Sequence, residues 1–143
     1  MTALADTSLL VRLLEADTAM GADAAALVQD FAASEDELCI CLQSLIEFWA
    51  VATRPRDANG LGLEPDEALQ MSDFREIFTL LPEPHDIAER CALVGQNAVR
   101  GKTAHDARIV ALTQAHGIDK IATFNQRDFR RYPGLTLINP SSR

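Results

Sequence analysis

The chain has 143 residues, 48% of them hydrophobic, a size and balance that suit one globular domain with a genuine core and argue against disorder. No apolar run approaches the length of a bilayer, and the N-terminus lacks the features of a signal peptide, so the expected location is the cytoplasm with no membrane partner. The formal net charge of −8 counts against a nucleic-acid binder of the ordinary basic kind, unless the acids are gathered where divalent cations reverse the local sign.

Ala3-Leu4-Ala5 is a short apolar run that stops at Asp6-Thr7-Ser8, three N-capping residue types, and Leu9 to Leu14 then reads as helix. Ala24, Leu27, Val28 and Phe31 recur at helical spacing from Met20 to Ala33. Ser34 to Glu37 is a polar turn, and Leu38 to Leu42 reads as a buried strand. Leu45, Ile46, Trp49 and Ala50 then follow a helical period up to Thr53. Pro55, Asn59-Gly60 and Gly62 make Arg54 to Leu63 a loop. Pro65 opens a helix expected to reach about Phe78, and Thr79 to Leu81 is a short strand. Asp86 to Val99 reads as a helix ended by Gly101, and Thr103 to His116 as one closed by Gly117. Ile118 to Thr123 is a strand, Asn125 to Phe129 a short turn or helix, and Leu135 to Ile138 a last strand stopped by Pro140. Of the three cysteines, Cys39 and Cys41 alternate within the second strand and face one side, and Cys91 lies in a helical pattern. With no C-x-x-C spacing, all three read as small core residues.

No repeat, low-complexity tract or linker divides the chain, so residues 1–143 are expected to form a single α/β domain. Strands alternating with helices predict a parallel sheet covered on both faces. Right-handed crossovers then bring every strand's C-terminal end to one edge, where open sheets of this kind bind ligands.

Asp6, Glu47, Asp106, Asn125 and Asp128 all fall near strand–helix junctions. Each also suits a capping role. Ser44 with Glu47 and Thr103 with Asp106 have capping-box spacing, and Asn125 with Asp128 resembles it. The neighbours of Glu47 and Asp106 weigh the other way. Leu45, Ile46, Phe48 and Trp49 surround Glu47, while Ala107, Ile109 and Val110 follow Asp106. A carboxylate set among such residues is costly unless a cation neutralises it, and hard oxygen donors suit Mg²⁺ or Mn²⁺.

Four segments carry a family resemblance that spans essentially the whole chain. Ala5-Asp6-Thr7-Ser8-Leu9-Leu10 resembles the opening motif of PIN domains. Ser44-Leu45-Ile46-Glu47-Phe48 resembles their second acidic motif, His105-Asp106-Ala107-Arg108-Ile109-Val110-Ala111 the third, and Thr123-Phe124-Asn125-Gln126-Arg127-Asp128-Phe129 the fourth. Thr53-Arg54-Pro55 with Asn59-Gly60-Leu61-Gly62 is similar to a loop of some VapC-type toxins.

The resemblance implies a three-layer α/β/α sandwich around a parallel sheet of four or five strands. It also implies an Mg-dependent endoribonuclease, the toxin of a VapBC-type toxin–antitoxin pair. Asp6, Glu47 and Asp106 become the metal-binding and catalytic acids, with Mg²⁺ or Mn²⁺ as cofactor. Where many members carry a fourth acid this chain has Asn125, expected to line the site through a water or the substrate, with Asp128 in reserve. Thr7 is expected to hydrogen-bond a carboxylate or phosphate, if it is not a plain cap. Arg54, Arg56, Lys102, His105, Arg108 and Arg127 lie near the motifs; Arg54 and Arg108 are expected to contact the RNA backbone, and solubility or ion pairing with the excess acid is the alternative role for all six. The implied partners are RNA, a second copy in a homodimer, and a VapB-type antitoxin whose basic tail fits the acidic balance. Two alternatives remain: a PIN fold that has lost activity and only binds, and a receiver-like signalling domain. The receiver reading lacks an early acidic pair and a Lys at the Leu135-Thr136-Leu137-Ile138 strand.

Overall fold

The computed structural model describes residues 1–71 and 74–142. Five strands form one parallel sheet: β1 (Thr2–Ala5), β2 (Glu37–Ile40), β3 (Thr79–Leu80), β4 (Lys120–Ala122) and β5 (Thr136–Ile138), in the order β3-β2-β1-β4-β5. The helices are α1 (Thr7–Leu13), α2 (Ala19–Ala33), α3 (Leu42–Thr53), α4 (Pro65–Met71), α5 (Ile87–Val94), α6 (Ala104–Ala115) and α7 (Gln126–Phe129). Among the described residues no helix is long and apolar enough to cross a membrane.

Two-residue alternation sorts the inner strands onto two cores. Ala3 and Ala5 of β1 and Leu38 and Ile40 of β2 pack with Leu9, Leu10, Leu27, Phe31 and Phe48 from α1, α2 and α3. Leu4, Cys39 and Ile121 face the other way, onto Val94, Ile109, Val110 and Leu112 of α5 and α6. A sheet buried on both faces by helices is the expected three-layer sandwich, here with five strands. Cys39 and Cys41 share the α6 side, and burial pushes both thiols above their ordinary range, so they act as core residues.

Strand order reverses between β1 and β4: from β1 the chain winds outward through β2 to β3, then returns to place β4 on β1's other side. The backbone N–H of Asp6 donates to the Ala122 carbonyl at 3.0 Å, joining the two C-terminal ends at the point where crossovers diverge. That divergence opens the crevice used by ligands in open α/β sheets.

Several boundaries differ from expectation. The helix begun at Pro65 is described as far as Met71, and Phe74–Glu76 form a 3₁₀ turn short of the expected Phe78; residues 72 and 73 of the expected helix lie outside the described residues. Phe74 and Phe78 are buried, Phe74 lying edge-on to Phe48 with ring centroids 5.0 Å apart and to Phe78 at 5.8 Å. α5 stops at Val94, where the Asn97 amide donates to the Val94 carbonyl at 2.9 Å. Gly101, at φ +60°, opens a 3₁₀ turn leading into α6 rather than closing α5. Leu42 starts α3 instead of ending β2.

The largest difference concerns the face of α3. Gln43, Ser44, Phe48 and Ala52 are its buried residues, whereas Leu42, Ile46 and Trp49 are 46%, 47% and 46% exposed. The segment is apolar nearly all round, so periodicity alone left its inward face ambiguous.

Candidate active site

At the β1/β4 divergence a cavity of about 750 Å³ is lined by Asp6, Thr7, Glu47, Arg54, His105, Asp106, Asn125 and Asp128, among others. Of the candidate residues, Arg56, Lys102, Arg108 and Arg127 are not in its wall. Its outer reach passes Val11, Arg12, Glu15 and Met20 on one side and Asn59, Gly60 and Leu61 on the other. Gly60 lets the loop close here: a Cβ at this position would stand 2.0 Å from the Arg54 carbonyl oxygen.

Asp6 is the N-cap of α1 and is 4% exposed. Its Oδ2 accepts from Thr123 Oγ1 at 2.8 Å and Ser8 Oγ at 2.9 Å, while the Ser8 N–H stands 3.5 Å away. Because both hydroxyls spend their protons on Asp6, each is free to accept from backbone: Ser8 Oγ from the Phe124 N–H at 3.1 Å, Thr123 Oγ1 from the Asn125 N–H at 2.9 Å. The cage ties α1 to the turn after β4. Burial pushes the Asp6 carboxyl above its ordinary range against the pull of these bonds, and the Glu47 charge adds to the rise.

Glu47 sits one turn into α3. Its Oε2 accepts from Thr7 Oγ1 at 2.7 Å and its Oε1 from Gln43 Nε2 at 2.9 Å. Ser44 does not form a capping box with it; the Ser44 hydroxyl lies against Cys41 Sγ at 3.2 Å and the Ala5 carbonyl at 3.5 Å. Thr7 thus bonds a carboxylate, one of the two roles expected of it.

Asp106 is in the first turn of α6, but the capping box with Thr103 is not formed either: the Thr103 hydroxyl donates to the Arg100 carbonyl at 2.6 Å and accepts from its N–H at 3.0 Å. Among the described residues no hydrogen bond to the Asp106 carboxylate is made. Burial, then the charges of Asp6, Asp128 and Glu47, push it up to about 7, with Arg131 pulling the other way. Asn125 is the N-cap of α7 by position, without a side-chain cap bond. Of the capping roles open to these residues, only that of Asp6 is realised.

The basic residues divide. Arg54 and His105 line the cavity, and Arg12, unremarked in the sequence, lines it while paired to Glu15 at 2.6 Å. Arg108 lies outside the lining. One of its guanidinium nitrogens donates to Gln43 Oε1 at 2.6 Å and the other pairs with Glu83. Ser8, Thr123 and Gln43, which hold the acids, also escaped sequence reasoning, although the i,i+4 spacing of Gln43 and Glu47 was a visible signal.

The acids in the wall, Asp6, Glu47, Asp106 and Asp128, are hard oxygen donors, and their mutual repulsion is what a divalent cation would relieve; this donor chemistry fits Mg²⁺ or Mn²⁺. Among the described residues, no three His, Cys, Asp or Glu side chains stand gathered closely enough to hold an ion as they are. The acids share a cavity and each other's fields but keep apart, each of Asp6 and Glu47 held by its own hydroxyl or amide donors.

No curated relative matches the sequence. Solved structures of similar fold include VapBC2 of Rickettsia felis bound to a promoter DNA fragment (14% identity, TM-score 0.74, covering 97% of this chain and 98% of that one). VapBC-1 of nontypeable Haemophilus influenzae is also similar (14%, 0.68, 99% and 100%). So is VapC20 of Mycobacterium tuberculosis, a toxin that cleaves the sarcin-ricin loop (17%, 0.63, 90% and 93%). At these identities the likeness is one of fold. The PIN domain family model matches residues 3–135, nearly the whole length, and it is this match that settles the lineage: the chain belongs to the PIN domain family.

Proposed function

We propose that the protein is a metal-dependent endoribonuclease and the toxin of a VapBC-type pair. The observation that carries this reading is the convergence of Asp6, Glu47 and Asp106, from three separate elements, on one cavity at the β1/β4 divergence. Asp6, Glu47 and Asp106 would hold Mg²⁺ or Mn²⁺. When bound, such an ion lowers the pKa of water and offsets charge on the phosphoryl oxygens.

The chain's own residues supply the rest. Thr7 and Gln43 fix Glu47, and Thr123 and Ser8 fix Asp6, so neither carboxylate need reorganise during phosphodiester hydrolysis. Asn125 and Asp128 border the acids from the turn after β4 and contact substrate or water. Arg54, at the far rim, offers its charge to an RNA phosphate. Arg108 is spent on Gln43 and Glu83, so of the two arginines expected to contact RNA, Arg54 is the one in the cavity wall.

RNA as substrate is supported by family membership and by the sarcin-ricin cleavage attributed to one structural neighbour. A cognate antitoxin is supported by neighbours solved as VapBC complexes, and a basic tail suits a cavity walled by acids. A homodimer is supported by the exposed stripe Leu42, Ile46 and Trp49 on α3, spaced to share one helix face.

The test is cleavage of single-stranded RNA by antitoxin-free protein. Cutting with Mg²⁺ or Mn²⁺ that stops in EDTA is expected; cutting that persists in EDTA would sink the reading. A second reading, a PIN fold that binds without cutting, draws on Asn125 and on the ungathered acids. It predicts RNA retention with no cleavage under any divalent ion.

A further inference from the structure

We infer that Gln43, clamped by Arg108, is a positioning residue that orients the Glu47 carboxylate in the cavity wall for a divalent cation; this rests on the metal-dependent reading above. Gln43 is 7% exposed and does not line the cavity, so it acts from behind the wall. Its amide is used on both sides. The carbonyl accepts from Arg108 Nη1 at 2.6 Å, and Nε2 donates to Glu47 Oε1 at 2.9 Å while lying 3.3 Å from His105 Nδ1.

The partners dictate the amide's orientation. Turned over, it would set N–H groups against a guanidinium and a carbonyl against a carboxylate, two repulsions in a buried place. Arg108 is in turn held by Glu83, in the segment between β3 and α5. The chain Glu83–Arg108–Gln43–Glu47 thus crosses from that segment through α6 to α3. Thr7 takes the other oxygen of Glu47, so the carboxylate is gripped from α1 and α3 together and cannot rotate freely. An ordinary i,i+4 pair on a solvated helix face would leave both partners mobile. Here a polar side chain occupies a buried position that an apolar one could fill, the kind of local departure expected where a site needs it. Donors that orient a metal's carboxylate ligands typically change metal affinity about 10–100-fold when removed.

The experiment is Mn²⁺ binding to the full, metal-free chain, read by the electron paramagnetic resonance of free Mn²⁺, with melting recorded on the same samples. Gln43→Met keeps length and volume but loses both amide partners. The expected result is that wild type binds Mn²⁺ and Gln43→Met binds about 10-fold or more weakly. Arg108→Met, which leaves Gln43 in place but unclamped, should show a smaller loss in the same direction, and should add nothing in the Gln43→Met background. An unchanged Kd in a folded Gln43→Met, or fully additive losses in the double variant, would overturn the positioning role while leaving the metal-dependent reading intact. If Gln43→Met does not fold, Arg108→Met decides alone, and an unchanged Kd there overturns the role. Wild type that binds no Mn²⁺ would overturn the metal-dependent reading and the positioning role with it.

Discussion

Asp106 is the residue where burial and like charge are least compensated. Its carboxyl is pushed from an ordinary value of 3.8 up to about 7, by burial first and then by Asp6, Asp128 and Glu47. A raised folded-state pKa means that the folded protein binds more protons than the unfolded chain between these values. Its stabilising contribution is therefore full below about pH 4 and lost as pH rises through about 7. In EDTA, the melting temperature should fall from pH 5 to pH 8, and Asp106→Asn should flatten that fall. Asp6, also raised, adds a slope of the same sign. Equal slopes in wild type and Asp106→Asn would show that Asp106 carries no such penalty. Thr123, fully buried, tests the neighbouring cage. Thr123→Val keeps the shape but removes the donor to Asp6 and the acceptor for the Asn125 N–H. It should cost about 1–3 kcal/mol in denaturant unfolding, as expected when buried polar groups lose a partner. Thr123→Ser, which retains the hydroxyl, should recover most of it, and equal stability in all three would remove the cage from the account.

At the scale of the element, α3 presents one buried and one exposed apolar face. Phe48 is fully buried between sheet and α4 side, while Trp49, one residue on, is 46% exposed. Phe48→Ala should lose about 3–5 kcal/mol through the cavity it leaves. Trp49→Glu should change monomer stability by no more than about 0.5 kcal/mol, as surface substitutions usually do. If the Leu42–Ile46–Trp49 stripe is the homodimer contact, that same variant should elute as a monomer where wild type elutes as a dimer. Identical elution would remove the stripe from the interface.

Across the whole molecule, what could be read from the sequence followed from local rules, and what could not depended on distance or rotation. The strands are legible as short apolar runs, and crossovers of one hand bring their C-terminal ends to one edge, with Asp6 directly after β1, Glu47 one turn into α3 and Asp106 in the first turn of α6. The cage around Asp6 needs Thr123, a residue 117 positions away, and only β1 lying beside β4 brings them together. Arg108 follows Asp106 by two residues, and on a helix that spacing turns the side chain away from the cavity, toward Gln43 and Glu83. Gln43 hid in a segment so apolar that its inward face could not be chosen from periodicity. α5 ends before the expected Val99 because Gly95 caps it and Asn97 turns back, its backbone N–H and side-chain amide both donating to the Val94 carbonyl.

The most direct test of the acidic cavity as a nuclease site is RNA cleavage by wild type and Asp106→Asn at one Mn²⁺ concentration, with melting measured on the same preparations. Asp106 makes no cap bond among the described residues, so Asn should leave the fold intact or slightly more stable in EDTA. Cleavage should fall by at least about 100-fold, the scale on which losing one charge-stabilising group slows catalysis. A folded Asp106→Asn protein that cuts RNA at the wild-type rate would contradict the assignment of this cavity as the catalytic site.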